Sequence, residues 1–495
     1  MTSETLQKAR DYEGPYPVNG SSPRPCYHLT PRIGWMNDPN GFSYYKGQYH
    51  LFYQYHPYST QWGPMHWGHA VSPDLLHWSY LPCALAPDQP YDAGGCFSGS
   101  AVELPDGRHL LMYTGVRREA QPNGGARDVQ TQCIAIGDGL DYEKLDCNPV
   151  LDEKDLPEGG SRYDFRDPRI WQEADGTYRC VVGNRAADGS GSLPIYRSED
   201  AIHWQLETVL DRCYNEFGKM WECPDVFPLD GKTVVLVSPQ DMAPVGLEFH
   251  NGNGTLCLIG ESDPATGAFQ REHLQAIDYG LDFYATQTIR SPDGRRIMVA
   301  WMQNWDTCVV QHPERCWFGQ ICTPRELSVQ NGRLMQRPIR ELETLRGRRV
   351  YHSALVGEEM MLPGVSGRVL DMTVTLRPGQ PDAYQMFRIK VAYDSTHYTM
   401  ITYKPRTSVL RVDRGHSGFN RDFIHERKCL VRSQGGAIQL RILLDRCSVE
   451  VFVNGGEQAL STVITTLASA DGISFEAIGG QVMMELEKYD LTLDG

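Results

Sequence analysis

Five times along the chain, a short polar turn with a glycine leads into a run of apolar, β-prone residues. The segments are Y-K-G-Q-Y-H-L-F-Y-Q-Y (45–55), P-D-G-R-H-L-L-M-Y-T-G (105–115), A-D-G-T-Y-R-C-V-V-G-N (174–184), L-D-G-K-T-V-V-L-V-S-P (229–239) and P-D-G-R-R-I-M-V-A-W-M (292–302). Gly47, Gly107, Gly176, Gly231 and Gly294 each supply the freedom a tight turn needs, so each segment predicts a hairpin. Successive glycines lie 55 to 69 residues apart. That spacing predicts one multi-strand unit repeated five times, a five-bladed β-propeller. S-P-D-L-L-H-W (72–78) and S-E-D-A-I-H-W (198–204) echo one another and mark turns between outer strands. The propeller is expected to span residues 1–335, with 1–30 as a lead-in segment.

The pattern changes near Arg337. In R-P-I-R-E-L-E-T-L-R-G (337–347), Ile339, Leu342 and Leu345 fall at helical spacing and Gly347 reads as a stop, which predicts a linker helix over 336–349. From 350 to 495 short strand-like stretches alternate with turns, and Asn454-Gly455 after Val451-Phe452-Val453 predicts a hairpin. This half reads as a β-sandwich. The expected fold is all-β: a five-bladed β-propeller followed by a C-terminal β-sandwich.

Composition agrees. The 495 residues are 41% hydrophobic, with 25 Tyr and 10 Trp to fill a large core, and the 48 Gly and 31 Pro suit a turn-rich protein. A net charge of −15 argues against nucleic acid and anionic membrane surfaces as partners. The start of the sequence lacks an apolar signal core, and no apolar run reaches the roughly 18 residues of a membrane span. The fourteen Cys have no paired spacing. The expectation is a cytoplasmic protein with reduced thiols, a monomer or homodimer.

Counting nine residues back from each turn glycine gives Asp38, Ser98, Asp167, Glu222 and Ala285. Equivalent positions in blades are related by rotation about one axis, so the repeat predicts three acids facing one pocket. Each acid has a Pro within two residues after it, which interrupts strand pairing and is expected to lie at a strand end. Asp-Pro-Asn-Gly (38–41) is by itself also a good β-turn. Two carboxylates in one pocket suit glycoside hydrolysis, and a third can hold sugar hydroxyls. Trp62 and Trp301 are candidates for covering a sugar ring. His66 and His69 have the spacing of a metal pair but no acidic partner nearby, and strand alternation explains them. Cys223 could be a reactive thiol or a small buried residue. No metal or cofactor is expected.

The segments W-M-N-D-P-N-G (35–41), F-S-G-S (97–100), F-R-D-P (165–168), W-E-C-P-D (221–225), D-Y-G-L-D-F-Y-A-T-Q (278–287), T-P-R-E-L (323–327) and S-V-E-V-F-V-N-G-G (448–456) resemble, in order, those of glycoside hydrolase family 32, the invertase and fructosidase family. The resemblance implies a retaining β-fructofuranosidase acting on sucrose, short fructooligosaccharides or sucrose 6-phosphate. It implies Asp38 as nucleophile, Glu222 as general acid and then base, and Asp167 as the holder of fructose hydroxyls. It further implies sugar contacts from Trp35, Asn37, Gln54, Trp62, Phe97, Ser98, Arg166, Cys223 and Trp301. Thr286 stands where the family often has Pro, and Cys322 also departs from its pattern. Two other readings stay open: a five-bladed glycosidase for arabinosides or xylosides, and a sugar-binding propeller without catalysis.

Overall fold

The computed structural model describes residues 2–16, 24–122, 124–263, 267–308, 315–380, 382–419 and 423–493. Among the described residues the chain is nearly all β, in seven sheets. Five sheets follow one another up to Pro338, each a run of antiparallel hairpins. Their first strands are β1 (Gly34–Tyr45), β2 (Gly95–Glu103), β3 (Phe165–Gln172), β4 (Trp221–Leu229) and β5 (Tyr284–Arg290). Each packs beside the next, and β5 packs beside β1, so the five inner strands surround a common centre. A short strand, Trp317–Phe318, leaves the fifth sheet and pairs in parallel with Gly34 and Trp35 of β1, latching the last sheet to the first.

The five turn glycines behave as the sequence requires. Their φ values run from 78° to 90°, the left-handed region that a β-carbon disfavours. Each repeat's hairpin therefore closes at its glycine, which keeps the five inner strands in a common register.

The segment predicted as a linker helix differs from expectation. Arg333–Pro338 is still a strand, only Arg340–Leu345 is helical, and Arg346–Val356 is again a strand. The short helix is of the 3₁₀ type, which turns every three residues. Ile339, Leu342 and Leu345 are spaced by three and all buried, so they fit that winding better than an α-helix. The lead-in segment, in turn, contains a helix, α1 (Glu4–Glu13), capped by the Ser3 hydroxyl, which accepts from the Leu6 N–H. Leu6 and Ala9 bury against the first sheet, and Glu13 accepts a hydrogen bond from the Cys83 N–H at 2.7 Å.

After Arg346 a six-stranded and a five-stranded sheet share one apolar core. Leu370, Met372, Val374 and Leu376 of one sheet, with Phe387, Ile389 and Val391 of the other, alternate inward as half-buried strands must. The hairpin expected at Asn454-Gly455 joins Ser448–Val453 to Gln458–Val463.

Three of the quoted motifs meet at the junction of the two halves. The buried Arg325 guanidinium donates to Asp278 at 2.9 Å, Glu450 at 3.1 Å and Ser461 at 2.6 Å. His28 bridges Asp445 at 2.8 Å and Glu450 at 3.1 Å, and Thr323 bonds Glu450 as well.

Candidate active site

Each inner strand carries one extra residue at the same place. β1 advances from Met36 to Pro39 while its partner advances only from Tyr55 to Tyr53. The same surplus falls between Phe97 and Gly99, Arg166 and Arg169, Glu222 and Asp225, and Tyr284 and Gln287. A β-bulge bends its strand and re-aims a side chain. Asp167, Cys223 and Ala285 adopt φ of 65°, 49° and 57° there, an uncommon conformation for residues with a β-carbon. Pro39, Pro168 and Pro224 therefore do not mark strand ends, as their context suggested. They lie inside the inner strands, at bulges where a missing N–H does least harm.

The bulges of β1 to β4 turn Asp38, Ser98, Asp167 and Glu222 into one cavity of about 660 Å³. The Ser98 hydroxyl donates to Asp38 Oδ2 at 2.6 Å, and Asn37 Nδ2 donates to its Oδ1 at 3.1 Å. Trp35 Nε1 in turn donates to Asn37 Oδ1 at 2.7 Å. Asp167 Oδ2 accepts the Cys223 N–H at 2.9 Å, while its own N–H donates to Thr114. The Cys223 thiol lies 3.5 Å from Asp38 Oδ2 and 3.7 Å from Asp167 Oδ2, between the two carboxylates. Both oxygens of Glu222 are held: Oε1 by Arg166 at 3.0 and 3.1 Å, and Oε2 by the Tyr284 hydroxyl at 2.6 Å.

Burial sets the electrostatics. It pushes the Asp38 carboxyl up, helped by the nearby Glu222 charge and opposed by the hydrogen bonds from Ser98, Asn37 and Cys223. Asp167 is pushed up to about 7 by burial; Arg166 opposes this, and the Glu222 and Asp38 charges add to it. The Cys223 thiol is driven well up by burial and by all three acids, so it remains an S–H donor and not a nucleophile. The Tyr284 hydroxyl likewise stays protonated, through burial and the Glu222 charge.

Asn37, Gln54, Trp62, Phe97, Ser98 and Arg166 also line the cavity. Trp62 is 48% exposed and stands edge-on to Phe97. Trp35, Cys223 and Trp301 do not line it; they form an apolar layer behind the wall with Tyr284 and Phe318. Trp301 is fully buried, and the ring that reaches the cavity is Trp305, packed edge-on against Trp301 at 5.0 Å. The sequence reading named neither Trp305 nor Tyr284, although Tyr284 stood inside a quoted motif one residue before a repeat position. Gln130 was also missed: its Oε1 accepts from the Phe165 N–H and from Arg166. His66 contacts the Pro64 carbonyl, and the buried His69 pairs with His50 at 3.0 Å.

The sequence model for the glycosyl hydrolases family 32 N-terminal domain matches residues 28–338, and that for the family's C-terminal domain matches residues 341–492. The chain is 38% identical to the raffinose invertase of Escherichia coli over 475 residues, 94% of each protein. It is 34% identical to the sucrose-6-phosphate hydrolase of Escherichia coli over 476 residues, again 94% of each. Among solved structures, a GH32 beta-fructofuranosidase of Bombyx mori in complex with sucrose superposes with a TM-score of 0.82 at 33% identity, covering 99% of this chain and 98% of the other. An exo-inulinase from Aspergillus awamori gives a TM-score of 0.82 at 26% identity, covering 96% and 99%.

Proposed function

The chain belongs to glycosyl hydrolase family 32, and from that premise we propose that it releases terminal β-D-fructofuranosyl residues from sucrose and short fructooligosaccharides. The observation that carries the reading is the convergence of Asp38, Asp167 and Glu222, at the bulges of the first, third and fourth inner strands, on one cavity. The five sheets are read as the blades of a propeller and the two later sheets as a sandwich, with the boundary at the short helix Arg340–Leu345. The junction between the matched segments, after 338 and before 341, supports that boundary.

Asp38 attacks the anomeric carbon of the fructosyl unit as the electron pair of the glycosidic bond leaves with the aglycone oxygen. Protonated Glu222 donates its proton to that oxygen, and the aglycone departs. Glu222, now a carboxylate, takes a proton from water, which attacks the same carbon and frees Asp38. Two inversions give net retention. Asp167 accepts hydrogen bonds from fructose hydroxyls. Ser98, Asn37 and Cys223 donate toward Asp38 and fix the direction of its attack. Asn37, Gln54, Trp62, Phe97, Ser98 and Arg166 contact sugar, while Trp35, Cys223 and Trp301 support the wall. None of the fourteen cysteines is in a disulfide, which supports a reducing, cytoplasmic setting.

The test is fructose release from sucrose by the wild-type protein and by Asp38→Asn and Glu222→Gln. Turnover is expected to fall by about 10²–10⁴-fold or more while circular dichroism and thermal unfolding stay near wild type. Near-wild-type turnover in either variant would refute the assigned roles.

A further inference from the structure

We propose that the cavity admits an uncharged leaving group and turns away one that carries phosphate. This rests on the fructosyl-hydrolase reading above and concerns the part of the substrate that reading leaves open. The charges lining the cavity carry the argument. To the three acids at its inner end the rim adds Asp128, Asp164 and Asp241. Against six carboxylates stand two guanidiniums, Arg127 and Arg166, and no lysine or histidine among the described lining residues. Arg166 is committed to Glu222 at 3.0 Å and to Asp164 at 3.4 Å. Arg127 lies on the exposed rim, flat against the Tyr163 ring at 3.7 Å, and the next residue, Asp128, lines the same cavity.

A phosphate ester brings roughly −1.5 to −2 charges at neutral pH. Inside a cleft with low-dielectric walls, like charges repel more strongly than in bulk solvent, because field lines are focused and salt penetrates less. Arg166 offsets part of the Glu222 and Asp164 charge, and Arg118, 3.4 Å from Asp128, offsets part of that acid, but three guanidiniums against six carboxylates still leave the cavity acidic. Neutral sugar hydroxyls meet the opposite situation. They are donors, and the rim offers them carboxylates together with the side-chain amides of Gln240 and Asn253. The same groups that welcome a hydroxyl repel a phosphate, so specificity here has a repulsive element.

The experiment measures kcat/KM for sucrose and for sucrose 6-phosphate, in the wild type and in the double variant Asp128→Asn/Asp241→Asn, at low and high ionic strength. Both aspartates stand at the rim outside the core, and thermal unfolding confirms the variant's fold. Sucrose is expected to be preferred by about tenfold or more at low salt. The preference should narrow several-fold in the variant and at high salt. Equal or better use of sucrose 6-phosphate would overturn the proposal, and loss of that use in Arg127→Ala would identify the rim cation as the phosphate anchor instead. A tenfold preference unmoved by both the variant and salt would overturn its electrostatic origin. Failure to release fructose from either sugar is a separate outcome, which removes the hydrolase reading and this inference with it.

Discussion

At the scale of single residues, Tyr284 is the side chain whose role is most open to measurement. Its hydroxyl donates to Glu222 Oε2, so it holds the carboxyl that must face the leaving oxygen. A hydrogen bond to a charged group contributes about 1.5–3 kcal/mol, so Tyr284→Phe should lower kcat on sucrose by roughly ten- to a hundredfold. KM should change little, since the fructose contacts remain. A raised KM with unchanged kcat would assign Tyr284 to substrate binding instead. Much of the residue-level site was legible in sequence because the repeat fixes a register: one count from five glycines reached Asp38, Ser98, Asp167 and Glu222 together. The exchange of Trp301 for Trp305 was not legible. Both are tryptophans on the same segment, and which one reaches the cavity depends on how that segment folds over Trp35.

At the scale of the element, the bulge is the device that matters. A regular strand would alternate its side chains between the two faces, and the extra residue re-aims the acid. The partner strand must let the bulge approach. Opposite the β3 bulge stands Gly183, where a β-carbon would lie 2.5 Å from the Trp221 carbonyl oxygen and 3.2 Å from that of Arg166. Both are backbone atoms of inner strands and cannot swing aside. Gly183→Ala should therefore destabilise the protein by about 1–3 kcal/mol and displace Asp167, lowering turnover per folded molecule. Gly176→Ala is the control: its φ of 89° makes the substitution strained, but nothing lies within 4 Å. It should lower thermal stability without changing turnover per folded molecule, and equal turnover losses in the two variants would contradict the account. Hairpins and strands were legible because glycines and apolar runs are local signals. The 3₁₀ winding of Arg340–Leu345 was readable only as a three-residue period, and prolines inside bulges imitate strand ends.

At the scale of the whole molecule, the two halves are held by a buried polar clasp. Burial alone would push His28 down, but its bonds to Asp445 and Glu450 raise it to about 9. The folded-state value thus lies above the ordinary 6.5. The stabilisation is then full below about pH 6.5 and is lost as pH rises through about 9. Glu450 is pulled down to about 2, by His28 and Arg325 against burial, so its share is lost instead as pH falls through the carboxylate range. His28→Gln should unfold several degrees below wild type at pH 6, and the gap should close by about pH 10. A gap that persists undiminished in alkali would assign the loss to packing rather than charge. No sequence pattern announces this clasp, because His28, Asp278, Arg325 and Glu450 are brought together only by the completed fold.

The central claim is that Asp38 bonds covalently to the sugar while Glu222 moves the proton. Rapid acid quench during sucrose turnover, followed by peptide mass spectrometry, tests it directly. The account predicts one fructosyl unit on the peptide that contains Asp38, absent in Asp38→Asn. Turnover with no adduct there, or an adduct on the Asp167 peptide instead, would contradict it.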